Sequence, residues 1–439
     1  MASTTISISA SPNVLTDYVP RTPTGDALTV TESATVWMMA ASKTALQTAI
    51  RAVEDFFSLC RRRQATNTGD RGYVNLSVEG DGLTYRSEVL DGRIVLGEDA
   101  LRHWGNLGAE VLITWTRRFY WEGALTALGL SNVGTAKTTS GVTITNHNDA
   151  STPAHYNYVN IDGADVLGSL PTPLKIMYVA TAAIGTSRFY VSANVFGEPG
   201  SFKCPWEGED STGGGTPTAD ADCSGSTASF MRRTWTTAIT HTDNAFVWSI
   251  ATTYLRHGAG AWFRVLARLE NTPPANCYAK LKIKFDGTTP LTTLYEGPEI
   301  LLDTNRKLQD LGSIQLPPGY ITGDPTALAL ILSLRHTGTS QLDLDFIQLC
   351  GPDGVHRFDQ QGYQLAIGDI VTDDGPEGAV YIETTGGYTQ HIFSDYGQPI
   401  YAWPGRDMRL RLLFDEGSGM VISRTMTATV NYRPRRVTV

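Results

Sequence analysis

Charge is scarce in this chain, and positive charge scarcer still. Only 18% of the 439 residues are charged, with 35 Lys and Arg against 44 Asp and Glu, for a formal net charge of −9. Specific nucleic-acid binding, which wants a basic surface, is therefore not expected as a main activity. Long apolar runs are missing too. No stretch approaches the ~20 residues that a bilayer-spanning helix needs, so no membrane-spanning segment is expected. The opening MASTTISISASPNV has neither a basic lead nor a continuous apolar run, so no secretory signal is expected and synthesis in the cytoplasm is. The five cysteines (Cys60, Cys204, Cys223, Cys277, Cys350) include no Cys-x-x-Cys and read as scattered buried thiols. Cys204 and Cys223 flank one loop and are the pair an oxidising setting would join.

Catalytic signatures are lacking as well. The histidines (His103, His147, His155, His241, His257, His336, His356, His391) show no His-x-x-x-His or His-Glu-x-x-His spacing, so no metal site is expected. Gly-x-Ser-x-Gly is absent; its nearest fragments, around Ser418 and around Ser224, read as turns. There is no Walker loop. Hydrolysis of a glycan needs two carboxylates across one cleft, and no segment singles out such a pair. No catalytic residue and no cofactor are therefore expected, and the chain does not read as an enzyme. An acidic group (Glu207, Glu209, Asp210, Asp220, Asp222) opens like a calcium loop at Asp220-x-Asp222 but lacks the closing Glu, which favours a solvated loop.

Present instead are 43 Gly and 21 Pro among abundant Thr and Ser, a composition of many short strands and turns. The length suggests roughly two or three domains. Residues 83–123, LTYRSEVLDGRIVLGEDALRHWGNLGAEVLITWTRRFYWEG, alternate apolar and polar with period two, the mark of strands. Strands are expected over 83–89 and 93–96, joined by an Asp91-Gly92 hairpin turn, and over 109–121. Ahead of them come strands at 5–9 and 27–39 and one helix. Ser42 suits its N-cap, and Leu46, Ile50, Val53, Phe57 and Cys60 form one apolar stripe. Arg61, Arg62 and Arg63 suit the negative end of its dipole; gripping a partner subunit or nucleic acid is the alternative use of that triplet. Residues 1–125 thus read as a small unit with one helix on a strongly bent sheet.

The order of these elements, with Arg86, Ser87 and Gly92 in the first hairpin and Arg117, Arg118, Tyr120, Trp121 and Gly123 closing the last strand, resembles the N-terminal split-barrel domain of tailed-phage distal tail proteins. Residues 142–180, with Pro171-Thr172-Pro173, are similar to the start of that family's galectin-like β-sandwich. Residues 365–439, with the Pro404-Gly405 turn, are similar to its continuation, although Arg406-Asp407 stands where the family often has Asn. The resemblance implies a ring, a homohexamer, that docks on the tail tube protein on one side and on hub or fibre proteins on the other. It places the protein at the tail tip of a virion assembled in the host cytoplasm. Arg61, Arg62, Arg63, Arg117, Arg118, Tyr120 and Trp121 are then the candidate subunit-interface residues. The last residues, RPRRVTV, fit a partner-binding tail and a plain edge strand equally.

Between the halves of that sandwich, residues 197–356 open with a Gly-, Thr- and Asp-rich loop and continue as strands at about ten-residue spacing, the pattern of a jelly-roll sandwich. Its architecture resembles non-catalytic carbohydrate-binding domains, and a host-surface glycan is the partner this implies. Trp206, Tyr295 and Tyr320, beside Gly, Pro or acidic residues, are the candidate glycan contacts; Trp248 and Trp262, among apolar neighbours, are expected in the core. The expected fold is mainly β: a split barrel with one helix over 1–125, a galectin-like sandwich over 126–196 and 357–439, and an inserted jelly roll. A distal tail protein is the leading reading, a non-catalytic glycan-binding adhesin the second, and a polysaccharide hydrolase a third without residue-level support.

Overall fold

The computed structural model describes residues 4–8, 14–15, 28–66, 71–78, 83–96, 108–132, 135–146, 157–185, 188–195, 206–223, 228–251, 262–285, 292–316, 327–350, 354–360, 362–392, 394–397, 399–419 and 424–438. The fold is mainly β, with one α-helix among the described residues, and none of their helices is long and apolar enough to cross a membrane. The chain divides into two compact units, Met1–Thr126 with Leu167–Leu170 and Arg433–Val439, and Ala127–Val166 with Pro171–Tyr432.

The first unit holds β1 (Thr4–Ile8), β2 (Val14–Leu15), β3 (Thr29–Met39), α1 (Lys43–Thr66), β4 (Tyr73–Val78), β5 (Thr84–Leu96), β6 (Gly108–Arg118) and β7 (Trp121–Glu122). They form an antiparallel sheet in the order β2-β1-β4-β5-β6-β3. The expected hairpin at Asp91-Gly92 is not there: β5 runs straight through it. Residues 84–88 of β5 pair with β4, and from Val89 onward the strand pairs with β6, with a register shift between Val89 and Asp91. A bulge of this kind bends a strand and raises its twist, and here it curls the sheet into a half-barrel around α1. Asp91 Oδ1 accepts the Gly92 N–H at 2.7 Å, satisfying locally what a turn would otherwise have satisfied. Gly92 is needed because the Phe57 ring of α1 lies directly on it; a Cβ there would sit 2.2 Å from Phe57 Cε1.

The helix follows its sequence pattern. Ser42 Oγ accepts the Ala45 N–H at 3.1 Å, and Leu46, Ile50, Val53, Phe57 and Cys60 are buried together with Phe56. It does not stop at the arginines but continues to Thr66, since Arg, Gln and Ala are good helix formers. Residues 433–436 also belong to this unit rather than to the sandwich in which 357–439 was expected. Strand Arg435–Arg436 pairs with β7, the Gly123 N–H donates to the Pro434 carbonyl at 2.8 Å, and Arg435 reaches Glu122 Oε1 at 2.9 Å. Within RPRRVTV, Arg435–Arg436 is a short strand.

In the second unit, strands on either side of the insertion interleave. Lys175–Ala180 lies between Ile370–Asp374 and Thr425–Tyr432 in one sheet, and Arg188–Val195 lies between Val355–Asp359 and Met408–Asp415 in the facing sheet. The two sheets close on Ile144, Ile176, Phe189, Val191, Phe358, Leu412, Phe414 and Met426. The Pro404-Gly405 turn is anchored through Gly163, whose carbonyl accepts the Gly405 N–H at 2.8 Å and whose N–H donates to Asp407 at 2.9 Å. Asp407 thereby gives this turn its tie.

The insertion leaves after Arg188–Val195 and returns on the neighbouring strand, where the Ala193 N–H donates to the Gly354 carbonyl at 3.0 Å. Its ends therefore meet, as an inserted domain requires. Within it, strands Ser229–Trp235, Ile239–Ala251, Trp262–Leu269, Tyr278–Phe285, Thr292–Glu296, Leu308–Gln315, Ala327–His336 and Ser340–Cys350 follow in order. They form two sheets, first–eighth–third–sixth and second–seventh–fourth–fifth, which is jelly-roll topology. Alternation along the last strand breaks once. Its pairing shifts between Arg268↔Phe346 and Leu269↔Leu344, so Leu342 and Leu344 enter the jelly-roll core while Phe346 turns to the opposite face. There it joins Tyr190, Leu266, Leu308, Cys350 and Leu413, sealing jelly roll to sandwich. Asn157–Gln348 at 2.9 Å and Arg306–Asp415 at 2.7 Å add polar ties, and burial pushes the Asp415 carboxyl above its usual range against the pull of Arg306.

Candidate functional site

The most conspicuous unfinished feature of the first unit is β3. It pairs with β6 in one unbroken register, from Thr29↔Arg118 to Met39↔Gly108, and among the described residues it has no neighbour on its other side. Its inward residues include the buried Val30, Glu32 and Met38, while Ser33, Thr35, Trp37 and Met39 point outward. The Phe119 N–H donates to the Leu28 carbonyl at 3.3 Å. In an antiparallel ladder hydrogen-bonded and non-bonded pairs alternate, so the even-numbered backbone groups of β3 face β6. Those of Ser33, Thr35 and Trp37 face the open side.

This edge is also apolar at one end. Trp37 is 52% and Met39 73% exposed, and Leu112 and Val95, on the same outward face across β6 and β5, are exposed as well. Of the fourteen large apolar side chains exposed among the described residues, ten lie in the first unit. A long edge with exposed apolar residues is a template for pairing with another strand. Beside it lies a polar groove of about 410 Å³ lined by Thr31, Arg61, Asp91, Arg93 and Thr116.

Two of the expected interface residues are internal. Arg117 is fully buried, with Nε and Nη2 on the Glu32 carboxylate at 3.0 and 2.9 Å and its guanidinium 4.2 Å from the ring centroid of Trp121. Trp121 is itself buried. Period-two parity carries this, since Arg117 continues the inward face of Val111, Ile113 and Trp115; the charge of the side chain is what suggests exposure. Arg118 is partly exposed and meets Glu88 at 3.1 Å; Tyr120 is half-buried, with the Arg435 guanidinium 4.1 Å from its ring. Arg61 ties the helix to the bulge through Asp91 Oδ1 at 3.1 Å and the Gly92 carbonyl at 2.6 Å. Arg62 is exposed and Arg63 half-buried.

In the jelly roll the aromatic assignments change places. Trp206 is buried, packed into the core, because the short strand Trp206–Glu207 adds to the edge of Ser340–Cys350 and turns the indole inward. Trp262 is 54% exposed, since it opens its strand at the rim of the sandwich, and its ring meets Tyr295 edge-on at 6.2 Å. Tyr295 is partly buried and donates its hydroxyl to the Ser313 carbonyl at 2.9 Å. Tyr320 lies outside the described residues, as does Cys204. Trp248 is buried as expected. The Trp262→Ala variant is accordingly expected to change stability by less than about 0.5 kcal/mol, as exposed substitutions do, which thermal denaturation beside the wild type would check.

The acidic loop splits. Asp220 joins Cys223 and Glu270 in a group whose ligand atoms fall within 4.8 Å of one another, and Asp222 caps Asp220 through its backbone N–H at 3.0 Å. Arg268 already occupies this group: its Nη1 lies 2.9 Å from both Glu270 and Asp345, and Lys307 reaches Glu270 at 3.4 Å. Burial also pushes the Cys223 thiol far above its ordinary range, against formation of the thiolate that binds metals. The arrangement is a buried ion network, and a cation would have to displace a guanidinium to enter it. Cys60, Cys223, Cys277 and Cys350 are buried free thiols.

No protein-family model and no curated protein sequence matches the chain.

Proposed function

We propose that this chain is a structural, ring-forming component of the tail tip of a long-tailed phage, of the distal-tail kind that its sequence resembles. The observation that carries the reading is the open β3 edge, eleven residues long, with Trp37 and Met39 exposed at its end. A second copy of the chain would complete that edge. Contact between β3 of one copy and a different surface of the next is heterologous, and a heterologous contact that closes gives a ring. The tail tube protein and hub or fibre proteins would then meet the two sides of a homohexamer, at the tail tip of a virion assembled in the host cytoplasm. The jelly roll is mounted on the sandwich within the second unit, and no catalytic step is assigned to the chain. Negative-stain microscopy and sedimentation of the purified chain test this: rings with a central hole are expected for the wild type, and Trp37→Glu is expected to yield separate chains with an unchanged melting temperature. A wild type that stays monomeric at all concentrations would overturn the reading.

The second reading, a glycan-binding adhesin, is supported by the exposed Trp262 against Tyr295, a pair that offers an aromatic face to a sugar ring. The sheet face carrying Phe346 is already occupied by the sandwich and offers a glycan nothing.

A further inference from the structure

Two of the fully buried arginines come with carboxylates. Arg117 has Glu32 and Arg268 has Asp345 and Glu270. Arg233 is different. It lies on strand Ser229–Trp235 between Met231 and Trp235, the inward-facing positions of that strand, opposite Leu342. Its neighbour Arg232, facing outward, is held by both oxygens of Asp343 at 3.0 and 3.1 Å. Arg233 is only 4% exposed, its Nε and Nη2 are buried with no hydrogen-bond partner, and its guanidinium sits 5.2 Å from the Phe246 ring centroid. Burial pulls its pKa down, and no neighbouring charge acts against that pull. A buried, unpaired charge costs several kcal/mol, and an aromatic ring offsets only part of that.

The segment over this guanidinium is built for close approach. It crosses from the second sheet, where the Thr212 N–H donates to the Val247 carbonyl at 2.8 Å, to the first, where Thr216 pairs with Arg232. Between them run Gly213, Gly214 and Gly215. A Cβ on Gly214 would lie 3.2 Å from Arg233 Nη1, and one on Gly215 would lie 2.5 Å from Met231 Sδ. Three consecutive glycines also leave the strap free to lift, at the entropic cost that glycine carries. Ser211, at the head of the strap, has a buried hydroxyl without a partner.

We infer that Arg233 is the anchor of a binding site for an anionic group, a carboxylate or a phosphate, held beneath the strap of residues 211–215. Nε and Nη2 form the edge of the guanidinium that takes two oxygens at once, and it is this edge that the fold leaves unsatisfied. The anion supplies the counter-charge, and the Ser211 hydroxyl is a second donor within the same strap. An acidic sugar and a polyol phosphate both present such a group. This assignment rests on the jelly roll alone and holds whether or not the chain forms rings.

The test is thermal denaturation of the full chain at fixed ionic strength, titrated with glucuronate, with inorganic phosphate, and with glucose as the neutral control. A saturable rise in the wild-type melting temperature with one or both anions, and none with glucose, is expected, and which anion acts identifies the source. Arg233→Met should melt higher than the wild type without anion and lose the anion response. Gly214→Ala, which keeps the guanidinium and crowds the strap, should weaken the response. Equal responses in wild type and Arg233→Met would mean adventitious binding elsewhere. No wild-type response to either anion would make Arg233 a strained core residue. Either result overturns the proposal.

Discussion

Replacing Glu32 by alanine is expected to lower the stability of the first unit by about 3–5 kcal/mol, the cost of leaving one member of a buried ion pair alone. The pair is dry on both sides, with side-chain exposures of 0% for Arg117 and 1% for Glu32. Removing the carboxylate takes the counter-charge from a guanidinium whose remaining contacts include the Arg118 carbonyl at 2.9 Å and the Trp121 ring. The double variant Glu32→Leu with Arg117→Met should recover most of the loss, because apolar replacement of a whole buried pair is often neutral. Chemical denaturation followed by tryptophan fluorescence measures both. A Glu32→Ala midpoint indistinguishable from wild type would show that the pair contributes nothing to folding.

The second expectation separates folding from assembly on a single strand. Ser33→Pro removes an N–H that faces the open side of β3, where proline is tolerated, and should leave the melting temperature nearly unchanged while abolishing ring formation. Ala34→Pro, one residue on, removes an N–H that faces β6. It breaks the ladder and leaves a buried carbonyl unpaired at about 1–3 kcal/mol, with the ring's steric conflict added, so the first unit should unfold at much lower temperature. Circular dichroism and sedimentation, run on both variants, read the two effects apart. If Ser33→Pro still assembles, strand addition at β3 is not the contact between copies.

Much of this architecture is legible from period and turn chemistry. The helix stripe, its Ser42 cap and the strand run of the jelly roll all follow from local rules, because each depends on residues a few positions apart. What escapes is whatever depends on a partner far along the chain. Asp91-Gly92 has the chemistry of a hairpin, yet Phe57 claims Gly92 and the strand goes on. Phe346 keeps the alternation of Leu342 and Leu344 in sequence, but one bulge sends it to the opposite face. Trp206 sits among Gly and acidic residues that suggest exposure; its burial follows from pairing with a strand about 140 residues later. Trp262 has apolar neighbours and is exposed because it starts its strand at the rim. The edge of β3 is invisible in the same way, since an alternating strand reads alike with one neighbour or two.

The pairing of Arg435–Arg436 with β7 sets a clock. Arg435 and Glu122 are 313 residues apart, and at ~5–20 residues per second a ribosome needs roughly 15–60 s to travel that far. During that interval the nascent first unit has its helix and most of its strands but not the one that covers β7, while Glu122 waits for Arg435. The second unit is synthesised entirely within the gap. The first unit is therefore complete only once residues 433–436 have emerged.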